Sequence, residues 1–333
     1  MDSLPFVTAL LVTRNEFGSI QKALQSYLNQ TYPKSCFEII VIDGISTDGT
    51  REYVQSQIEE YANSEISIKL LDNPKKSLAA GWNIGIKIAK GQYVIRIDAH
   101  AEASPTMIET SVSTIEKDVN AVCVGGKLIS LSIDGSDNVI SKVLSSPFGV
   151  GNSSFRVSSE PRYTDTAVYG LYKKSVFDEI GYFDENLLRN QDIELHNRIS
   201  KSGYKFYYNP EIESIYYTRN TFKKMLKQAY GNGFWNMMIL NKGGSGVSLR
   251  HLVPFAFVLF LIATIICGFF FKPIWYLGMA FIVLHLLLGI VFAILKTHEL
   301  KEVLLMPWLF MLLHISYGTG YLAAIFKRNS NSH

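Results

Sequence analysis

Apolar residues are arranged in two different ways along this chain. Through about the first 250 residues, short runs rich in Val, Ile and Leu alternate with segments whose apolar residues recur at helical spacing, as at 77–90. The short runs predict strands at 6–12, 37–44, 66–71, 92–98 and 121–129. Because these strands are almost continuously apolar and alternate with helices, we expect a mainly parallel sheet that is covered on both faces.

The last quarter of the chain is apolar over the lengths that a bilayer requires. A helix needs about 20 apolar residues to cross the hydrocarbon core. The stretches 252–271 and 274–295 contain no charged residue and reach that length, and 303–326 is a third stretch of this kind. Pro307 and a nearby pair of glycines leave open whether the third is kinked or partly re-entrant. We expect about three transmembrane helices, and the alternative is a set of core helices in a large soluble protein.

This change of pattern also predicts the domain organisation. We expect a globular domain at 1–218, an amphipathic segment at the membrane interface at 219–248 and a transmembrane region at 249–328. The amphipathic segment carries three lysines ahead of an aromatic patch at Phe234 and Trp235, which suits the headgroup region of a bilayer. An ordinary helix packed on the globular domain is the alternative for this segment.

Positive charges near the spans predict their orientation. Arg250 precedes the first span, and Lys296 and Lys301 lie between the second and the third. Because Lys and Arg are enriched in cytoplasmic loops, residues 1–250 are expected in the cytoplasm. The basic pair that begins at Lys327 would then lie outside. The chain is therefore expected to be a multi-pass protein of the inner (plasma) membrane.

Composition excludes several other classes of function. The net charge is +3 and no run of Lys and Arg forms a nucleic-acid patch, so nucleic acid is not expected as a partner. Cys36, Cys123 and Cys267 are widely spaced and form no CxxC pair, which indicates neither a zinc site nor a disulfide framework and suits a reducing cytosol. The N-terminal apolar run lacks a basic segment before it, and we interpret it as a first strand.

Polar residues follow the predicted strands where these strands end. Thr13, Asn15 and Glu16 follow the first strand, and Asp43 and Asp98 end two others. Ligands bind outside the carboxyl ends of the strands in open α/β sheets. One aspartate at a strand end is commonly a turn or cap residue, but two in one small domain favour a site. The first strand is followed by neither GxGxxG nor GxxxxGK[ST], which excludes a dinucleotide fingerprint and a P-loop.

A third acid, Asp192, falls in the first turn of a predicted helix within LLRNQDIELHNRISKSGYKFYYNP (187–210). Taken alone, it is either a functional carboxylate or an acid that interacts favourably with the helix N-terminus. Glu194 and Arg198 are four residues apart, and we interpret them as an ion pair on the helix surface.

Four segments in this order resemble family 2 glycosyltransferases with the GT-A fold: LLVTRNE, VIDGISTDGT, NIGIKIAKGQYVIRIDAH and RNQDIELHNRI. The similarity covers about residues 5–240, and the trailing apolar helices fit the membrane-anchored exopolysaccharide glucosyltransferases of the succinoglycan type. The resemblance implies a GT-A nucleotide-diphospho-sugar transferase fold, with a mainly parallel α/β sheet flanked by helices and followed by transmembrane helices. It also implies a hexosyltransferase whose donor is a nucleotide-sugar, with a UDP-hexose such as UDP-glucose expected.

The resemblance implies roles for individual residues at the donor end. The turn after the first strand would bind the donor through Thr13, Asn15 and Glu16, and Asp43 would meet the nucleotide base. Asp98 would be the first carboxylate of the family's DxD motif, where it contacts the donor ribose or helps to hold a metal ion.

The resemblance also implies an inverting, metal-dependent reaction. Asp192 would be the general base that takes the proton of the acceptor hydroxyl, a role that contributes about 10²–10⁴-fold to a rate. A divalent cation, Mn²⁺ or Mg²⁺, would neutralise the leaving diphosphate, with Asp98 and His100 as its protein ligands. An imidazole favours Mn²⁺, and the alternative for His100 is a role in the turn.

The chain departs from the family pattern in three places. Gly44 replaces the second Asp of the family's D-D pair, His100 replaces the last Asp of DxD, and Gln191 replaces the Glu before the catalytic Asp. The segment KQAYGNGFW also lacks the Q-x-x-R-W sequence of processive synthases, which favours transfer of a single sugar.

The membrane helices indicate a polyprenyl-linked saccharide in the cytoplasmic leaflet of the lipid bilayer as the acceptor, because tethering confines enzyme and lipid to one surface. Two alternatives remain. A polyprenyl-phosphate glycosyltransferase would charge the lipid phosphate itself and would need no general base. A non-catalytic membrane scaffold with a decayed transferase domain would account for the three departures.

Overall fold

The computed structural model describes residues 4–117, 120–131, 138–151, 153–218, 221–241, 247 and 249–330. Of the predicted interface segment, residues 219–220, 242–246 and 248 lie outside the described residues. The chain forms two compact units, Met1–Ile129 with Ser158–Tyr216 and Ser130–Val157 with Tyr217–His333. The domain boundaries expected from the sequence stay a prediction.

The described part of the first unit is built on one sheet of nine strands. The strands are β1 (Val7–Thr13), β2 (Phe37–Asp43), β3 (Ser67–Asp72), β4 (Tyr93–Asp98), β5 (Ala101–Ala103), β6 (Ala121–Leu131), β7 (Arg162–Thr164), β8 (Leu171–Lys173) and β9 (Lys205–Tyr217). They lie in the order β3-β2-β1-β4-β8-β6-β9-β5, and β7 pairs with β9. The first four in this order are parallel, whereas β8 is antiparallel to both β4 and β6. The parallel half agrees with the predicted strands, and the mixed half completes the predicted GT-A fold.

Helices cover the sheet and form most of the second unit. They are α1 (Phe17–Leu28), α2 (Thr50–Glu60), α3 (Leu78–Ile88), α4 (Met107–Lys117), α5 (Val139–Leu144), α6 (Pro147–Val150), α7 (Ser154–Val157), α8 (Ser175–Ile180), α9 (Gln191–Lys201), α10 (Phe222–Asn241), α11 (Leu249–Phe270), α12 (Pro273–Ile294) and α13 (Leu300–Ser330). The helix predicted at 77–90 is α3.

The register of the central strands brings the predicted site residues to one edge. In β1, Thr13 lies opposite Asp43 of β2, and Val12 lies opposite Asp98 of β4. All residues of β1 and β2 are buried, as their almost continuously apolar runs predict. The polar ends of three adjacent strands therefore meet at the carboxyl edge of the sheet.

Helix α3 lies very close to β1. A Cβ atom added at Gly81 would lie 2.5 Å from Cγ1 of Val12, and one added at Gly85 would lie 2.7 Å from Cδ2 of Leu10. The helix begins at an N-cap serine, Ser77, whose Oγ accepts a hydrogen bond from the Ala80 amide. The close packing and the cap place the start of α3 beside the carboxyl edge.

Within the described residues, three helices are long and apolar enough to cross a membrane: Leu249–Phe270, Pro273–Ile294 and Leu300–Lys327. They correspond to the three spans expected from the sequence. The third runs without a break through Pro307, so it is a continuous helix rather than a re-entrant segment. Helix α10 packs along α13, where a Cβ atom at Gly233 would lie 2.0 Å from the carbonyl oxygen of Tyr317.

Helix α5, whose contacts the hydropathy pattern did not predict, belongs to this second unit. Ile140 and Val143 of α5 are buried in one apolar cluster with Met306 and Phe310 of α13. Lys142 of α5 forms an ion pair with Glu302 at an N–O distance of 2.6 Å. Helix α5 is therefore fixed to the third span by both apolar and charged contacts.

Candidate active site

A cavity of about 230 Å³ opens at the carboxyl edge of β1 and β4. It is lined by Val12, Thr13, Arg14, Glu16, Asn73, Lys76, Ser77, Leu78, Asp98, Ala99 and His100. Four of the seven predicted site residues line it, namely Thr13, Glu16, Asp98 and His100. The edge that the strand pattern predicted is therefore a concave site that carries charged groups of both signs.

Asp98 is held by a tyrosine that sequence reasoning missed. The Tyr169 hydroxyl donates a hydrogen bond of 3.0 Å to Oδ2 of Asp98. Burial raises the pKa of Tyr169 well above its ordinary value, so the phenol remains a neutral donor. Tyr169 has a φ of 46°, in the left-handed region. The contact joins residues 71 positions apart, and no sequence signal marks it.

His100 lies between two carboxylates. Its Nδ1 is 3.9 Å from Oε1 of Glu16, and its Nε2 is 4.0 Å from Oδ2 of Asp98. The ring also makes an edge contact with Tyr216 at a centroid distance of 5.4 Å. About a third of the side chain is exposed, at 32%. The imidazole is thus accessible from the cavity and close to the carboxylate at the end of β4.

Two polar atoms at the cavity lack partners among the described residues. Oγ1 of Thr13 and Oδ1 of Asn73 are both buried and accept or donate no hydrogen bond there. Leaving a buried polar group unsatisfied costs about 1–3 kcal/mol. Both residues line the cavity, so a polar ligand in it would relieve that cost.

Asp43 does not line the cavity, and it holds the loop after β2. Its side chain is completely buried. Oδ2 accepts hydrogen bonds from the Ser46 amide at 3.0 Å and from Nη1 of Arg51 at 3.3 Å, and Oδ1 accepts one from the Ser46 hydroxyl. In this structure the carboxylate therefore stabilises a loop at the edge of the site.

Asn15 holds the same loop from the other side. It has a φ of 52°, and its Oδ1 accepts a hydrogen bond of 2.9 Å from the Thr47 amide. Its own amide donates to the Ser46 hydroxyl at 2.8 Å. Asn15 is exposed and does not line the cavity. The turn after β1 and the loop after β2 are therefore joined by side chains of the two motifs.

Gly44, the first departure from the family pattern, has a packing reason. A Cβ atom at this position would lie 2.9 Å from Cβ of Arg14. Arg14 lines the cavity together with a second exposed cation, Lys76, in the turn before α3. Sequence reasoning missed Lys76 because a lone lysine between Asn73 and Ser77 resembles any polar turn. The two side chains bring positive charge to the cavity.

Asp192 lies in the first turn of α9, as predicted, and does not line the cavity. Its Oδ1 accepts a hydrogen bond of 2.9 Å from the Ile193 amide, and its side chain is half-buried. The expected ion pair one turn away is present, with Nε of Arg198 at 2.6 Å from Oε1 of Glu194. The two acids of this turn therefore differ, because within the described part of the chain Glu194 forms an ion pair and Asp192 does not.

A buried cation, Arg96, interacts electrostatically with both Asp192 and Asp98. Arg96 of β4 is only 5% exposed, and its guanidinium carbon lies over the Trp82 ring at 3.8 Å from the centroid. Burial opposes its charged form, but the Tyr172 hydroxyl and the carboxylates of Asp192 and Asp98 outweigh burial and raise the pKa of Arg96. Sequence reasoning treated Arg96 as part of an apolar strand.

His196 lies one turn after Asp192 and is also buried. Its Nδ1 and the Thr166 hydroxyl are hydrogen-bonded at 2.8 Å, and its Nε2 and the Tyr172 hydroxyl at 2.6 Å. Burial lowers the pKa of His196 to about 4, so the ring is neutral at physiological pH. Its two hydrogen bonds join α9 to β8 and to the segment just before β8.

The side-chain donor atoms at the cavity fit a metal ion whose remaining ligands would come from a bound substrate. Among the described residues, no group of three His, Cys, Asp or Glu side chains is placed to hold a metal ion by itself. Asp98 and His100 offer one carboxylate and one imidazole 4.0 Å apart beside the cavity. Mg²⁺ is usually bound by one or two carboxylates together with substrate phosphates and waters, so such a pair fits a metal–diphosphate complex.

Residues 8–181 match the sequence pattern of the family described as Glycosyl transferase family 2. The chain belongs to this family. It is also similar over almost its whole length to a Methanococcus voltae protein, with 31% identity over 330 residues and 98% of each chain covered. That relative is named dolichyl N-acetyl-alpha-D-glucosaminyl phosphate 3-beta-D-2,3-diacetamido-2,3-dideoxy-beta-D-glucuronosyltransferase.

A second relative supports the same assignment, and a solved structure shows the same fold. The Succinoglycan biosynthesis protein ExoA of Rhizobium meliloti is 26% identical over 260 residues, which cover 77% of each chain. The mannosyltransferase PcManGT of Pyrobaculum calidifontis, solved with GDP-Man and Mn²⁺, superposes with a TM-score of 0.66. That match covers 100% of this chain and 89% of the other at 18% identity, and it confirms the GT-A fold. The protein is a membrane glycosyltransferase.

Proposed function

We propose that the protein transfers a single hexose from a nucleotide-sugar, a UDP-hexose such as UDP-glucose, to a hydroxyl of a lipid-linked saccharide, with inversion at the anomeric carbon. The observation that carries this proposal is the cavity at the carboxyl edge. It combines two cations, the Asp98–His100 pair and two buried polar atoms that lack partners. A nucleotide diphosphate has the charge and the hydrogen-bonding groups that such a cavity would receive.

The donor end of the reaction uses charge of both signs. Arg14 and Lys76 would pair with the diphosphate oxygens, and charge-assisted hydrogen bonds of this kind are the stronger ones in proteins. Asp98 and His100 would hold a divalent cation, Mn²⁺ or Mg²⁺. When bound, such an ion neutralises the charge that develops on the leaving diphosphate. Glu16, whose Oε1 is 3.9 Å from Nδ1 of His100, would orient the imidazole ring so that its other nitrogen, Nε2, faces that cation.

The nucleoside of the donor would bind at the turn after β1 and the loop after β2, which Asn15 joins. Thr13 would use its unpartnered hydroxyl for the donor. Asp43 and Asn15 would position the loop after β2, against which the nucleotide base would lie. Since these loops are already hydrogen-bonded to each other, little chain would have to be ordered when the donor binds.

The acceptor end uses Asp192. A hydroxyl becomes a better nucleophile as it loses its proton, and a carboxylate on the side opposite the leaving group would accept that proton. Within its turn Asp192 has no ion-pair partner among the described residues, in contrast to Glu194, which pairs with Arg198. The helix N-terminus also stabilises a negative charge at this position. In-line attack from this side would give the inverted product.

The acceptor class is proposed from the membrane helices and from the relatives. The Methanococcus voltae relative is named for a dolichyl-linked phosphosugar, and this chain matches it along 98% of its length. Three spans would hold the enzyme at the surface where a polyprenyl-linked saccharide resides. We place the catalytic unit on the cytoplasmic side of the plasma membrane, where nucleotide-sugars are made.

A binding panel followed by a transfer assay tests this proposal. Purified full-length protein is titrated with UDP-, GDP- and dTDP-sugars in the presence of Mn²⁺ or Mg²⁺, and the donor that binds is then offered to a polyprenyl-diphosphate-linked saccharide. We expect one UDP-hexose to bind and to be transferred once. Transfer to polyprenyl phosphate itself, unaffected by Asp192→Asn, would instead identify a polyprenyl-phosphate glycosyltransferase. Absence of binding to every nucleotide-sugar would identify a scaffold.

A further inference from the structure

A second cavity, of about 270 Å³, lies within the second unit. One wall comes from the segment around α6 and α7, and the other comes from the end of α12. It is lined by Ser145, Ser146, Pro147, Arg156, Val157, Phe292, Leu295 and Lys296. No family motif falls in this region, and none of the described residues that line it is acidic.

One buried polar side chain in this cavity, that of Ser146, has no hydrogen-bond partner among the described residues. Ser146 is completely buried, and its Oγ makes no hydrogen bond among the described residues. A buried hydroxyl without a partner costs free energy that a ligand with an acceptor oxygen would recover. The serine is therefore an observation in favour of a polar ligand.

Two cationic side chains in the lining indicate that the ligand is negatively charged. Arg156 donates from Nη1 to the Ser130 hydroxyl at 2.9 Å and to the Leu144 carbonyl at 3.2 Å, which fixes the position of its guanidinium. Lys296 brings an exposed ammonium group to the same cavity. Guanidinium, ammonium and hydroxyl groups together suit a phosphate, which accepts several charge-assisted hydrogen bonds at once.

The position of the cavity indicates a phosphate that carries a hydrocarbon chain. Helix α12 ends at Ile294, so Lys296 follows directly after a span, at the level where a helix leaves the hydrocarbon core. On the α12 side Phe292 and Leu295 give the lining an apolar part, and Leu295 is 73% exposed. A free phosphate would gain nothing from this apolar surface, whereas the first carbons of a lipid would bury it.

We propose that this cavity binds the phosphate group of a lipid, with Arg156 and Lys296 as its charge partners and the Ser146 hydroxyl as a neutral donor. In naming the lipid, the inference rests on the proposed function, since the phosphate would be that of the lipid-linked acceptor. The binding itself depends only on the residues of the second unit.

The test measures binding to purified full-length protein in detergent, without any nucleotide-sugar. Geranylgeranyl phosphate is the probe, and inorganic phosphate and geranylgeraniol separate the contributions of the charge and of the chain. We expect geranylgeranyl phosphate to bind more tightly than either. Loss of one charge-assisted hydrogen bond should weaken binding about tenfold, so Lys296→Gln and Arg156→Gln should each have an effect of this size. Ser146→Ala should have a smaller effect in the same direction.

Lys301→Gln is the matched control. It removes the same charge five residues further along the chain, from an exposed residue in the first turn of α13 that does not line the cavity. Binding to this variant should equal that of wild type. An equal loss in Lys301→Gln and Lys296→Gln would overturn the proposal, because the effect would then be general attraction to an anionic surface. Equal affinity for inorganic phosphate would also overturn it, because the site would then be one for free phosphate.

Two further comparisons keep the result interpretable. Arg156→Gln loses the contacts to Ser130 and Leu144 and could fail to fold, whereas Lys296→Gln changes only an exposed side chain. Donor binding is measured in the same preparations with UDP. If the proposed function is wrong, UDP and nucleotide-sugars fail to bind while the dependence on Lys296 remains. If the lipid site is wrong, UDP binding remains and the dependence on Lys296 is absent.

Discussion

The guanidinium of Arg96 lies over the ring of Trp82, with its carbon 3.8 Å from the ring centroid. Trp82 belongs to α3 and Arg96 to β4, so the contact joins the helix that borders the cavity to the strand that ends at Asp98. A cation over an aromatic ring is stabilised even where water is excluded. The pair thus keeps a positive charge inside the unit, where both Asp98 and Asp192 interact with it.

Arg96→Met should lower kcat by about tenfold or more, because the change removes a buried charge from two site carboxylates while keeping an apolar side chain over Trp82. Arg96→Lys, which keeps the charge but not the planar group, should recover part of the loss. Initial rates at saturating donor measure both variants, and thermal unfolding in detergent shows whether they are folded. A folded Arg96→Met variant with the kcat of wild type would contradict this role.

Asp192→Asn should nearly abolish transfer and leave donor binding close to wild type, since a positioned base contributes about 10²–10⁴-fold. Glu194→Gln is the matched control in the same turn. It should lower thermal stability by losing the contact with Arg198, and it should retain most of the turnover. Single-turnover transfer and donor titration separate the two effects. If Asp192→Asn kept more than a tenth of the wild-type rate, the base would have to be another group.

His100 should determine the preference for a metal ion. An imidazole ligand favours Mn²⁺ over Mg²⁺, whereas a carboxylate suits Mg²⁺, so His100→Asp should shift the preference toward Mg²⁺ and retain activity. His100→Asn should weaken the response to both ions. Activity is titrated with each metal for the three proteins. The same ratio of Mn²⁺ to Mg²⁺ activity in all of them would exclude His100 as a ligand.

His196 should make the protein less stable as the pH falls. Burial lowers the pKa of His196 to about 4, from an ordinary value of 6.5. Between these values the unfolded chain binds a proton that the folded chain does not, so the free energy of unfolding decreases as the pH falls from 6.5 toward 4. The full difference is about 3 kcal/mol.

The measurement is the midpoint of thermal unfolding of the full-length protein in detergent between pH 4 and pH 8. His196→Gln should flatten this dependence, although it lowers stability at neutral pH by disturbing the contacts with Thr166 and Tyr172. An unaltered slope in His196→Gln would assign the pH dependence to other groups.

Strand pattern alone was enough to predict the edge of the sheet where the cavity lies. Thr13, Asp43 and Asp98 each end or nearly end a strand, and parallel strands place such residues together. Tyr169 could not be predicted in the same way, because its contact with Asp98 depends on how β8 and the loop before it return to the sheet. The burial of Arg96 could not be predicted for a different reason. A charged residue in an apolar run suggests exposure, and only the packed structure shows the aromatic ring that covers it.

The segment from α5 to α7 marks another limit of the pattern. Its apolar residues are too few to suggest contact with a span, yet Ile140 and Val143 are buried in the cluster around α13. Short helices of this kind gain most of their stability from tertiary packing, so their local sequence carries little information about their place.

The close approach of Gly44 to Arg14 couples the turn after β1 to the loop after β2. A Cβ atom at position 44 would lie 2.9 Å from the Cβ of Arg14, a distance that depends on the backbone and not on a rotamer. An aspartate at position 44, as in the family pattern, therefore requires one of the two backbone segments to shift, whichever residue other than glycine stands at 14. Substitutions at the two positions should consequently be non-additive, because the cost of a side chain at 44 depends on the space that residue 14 leaves.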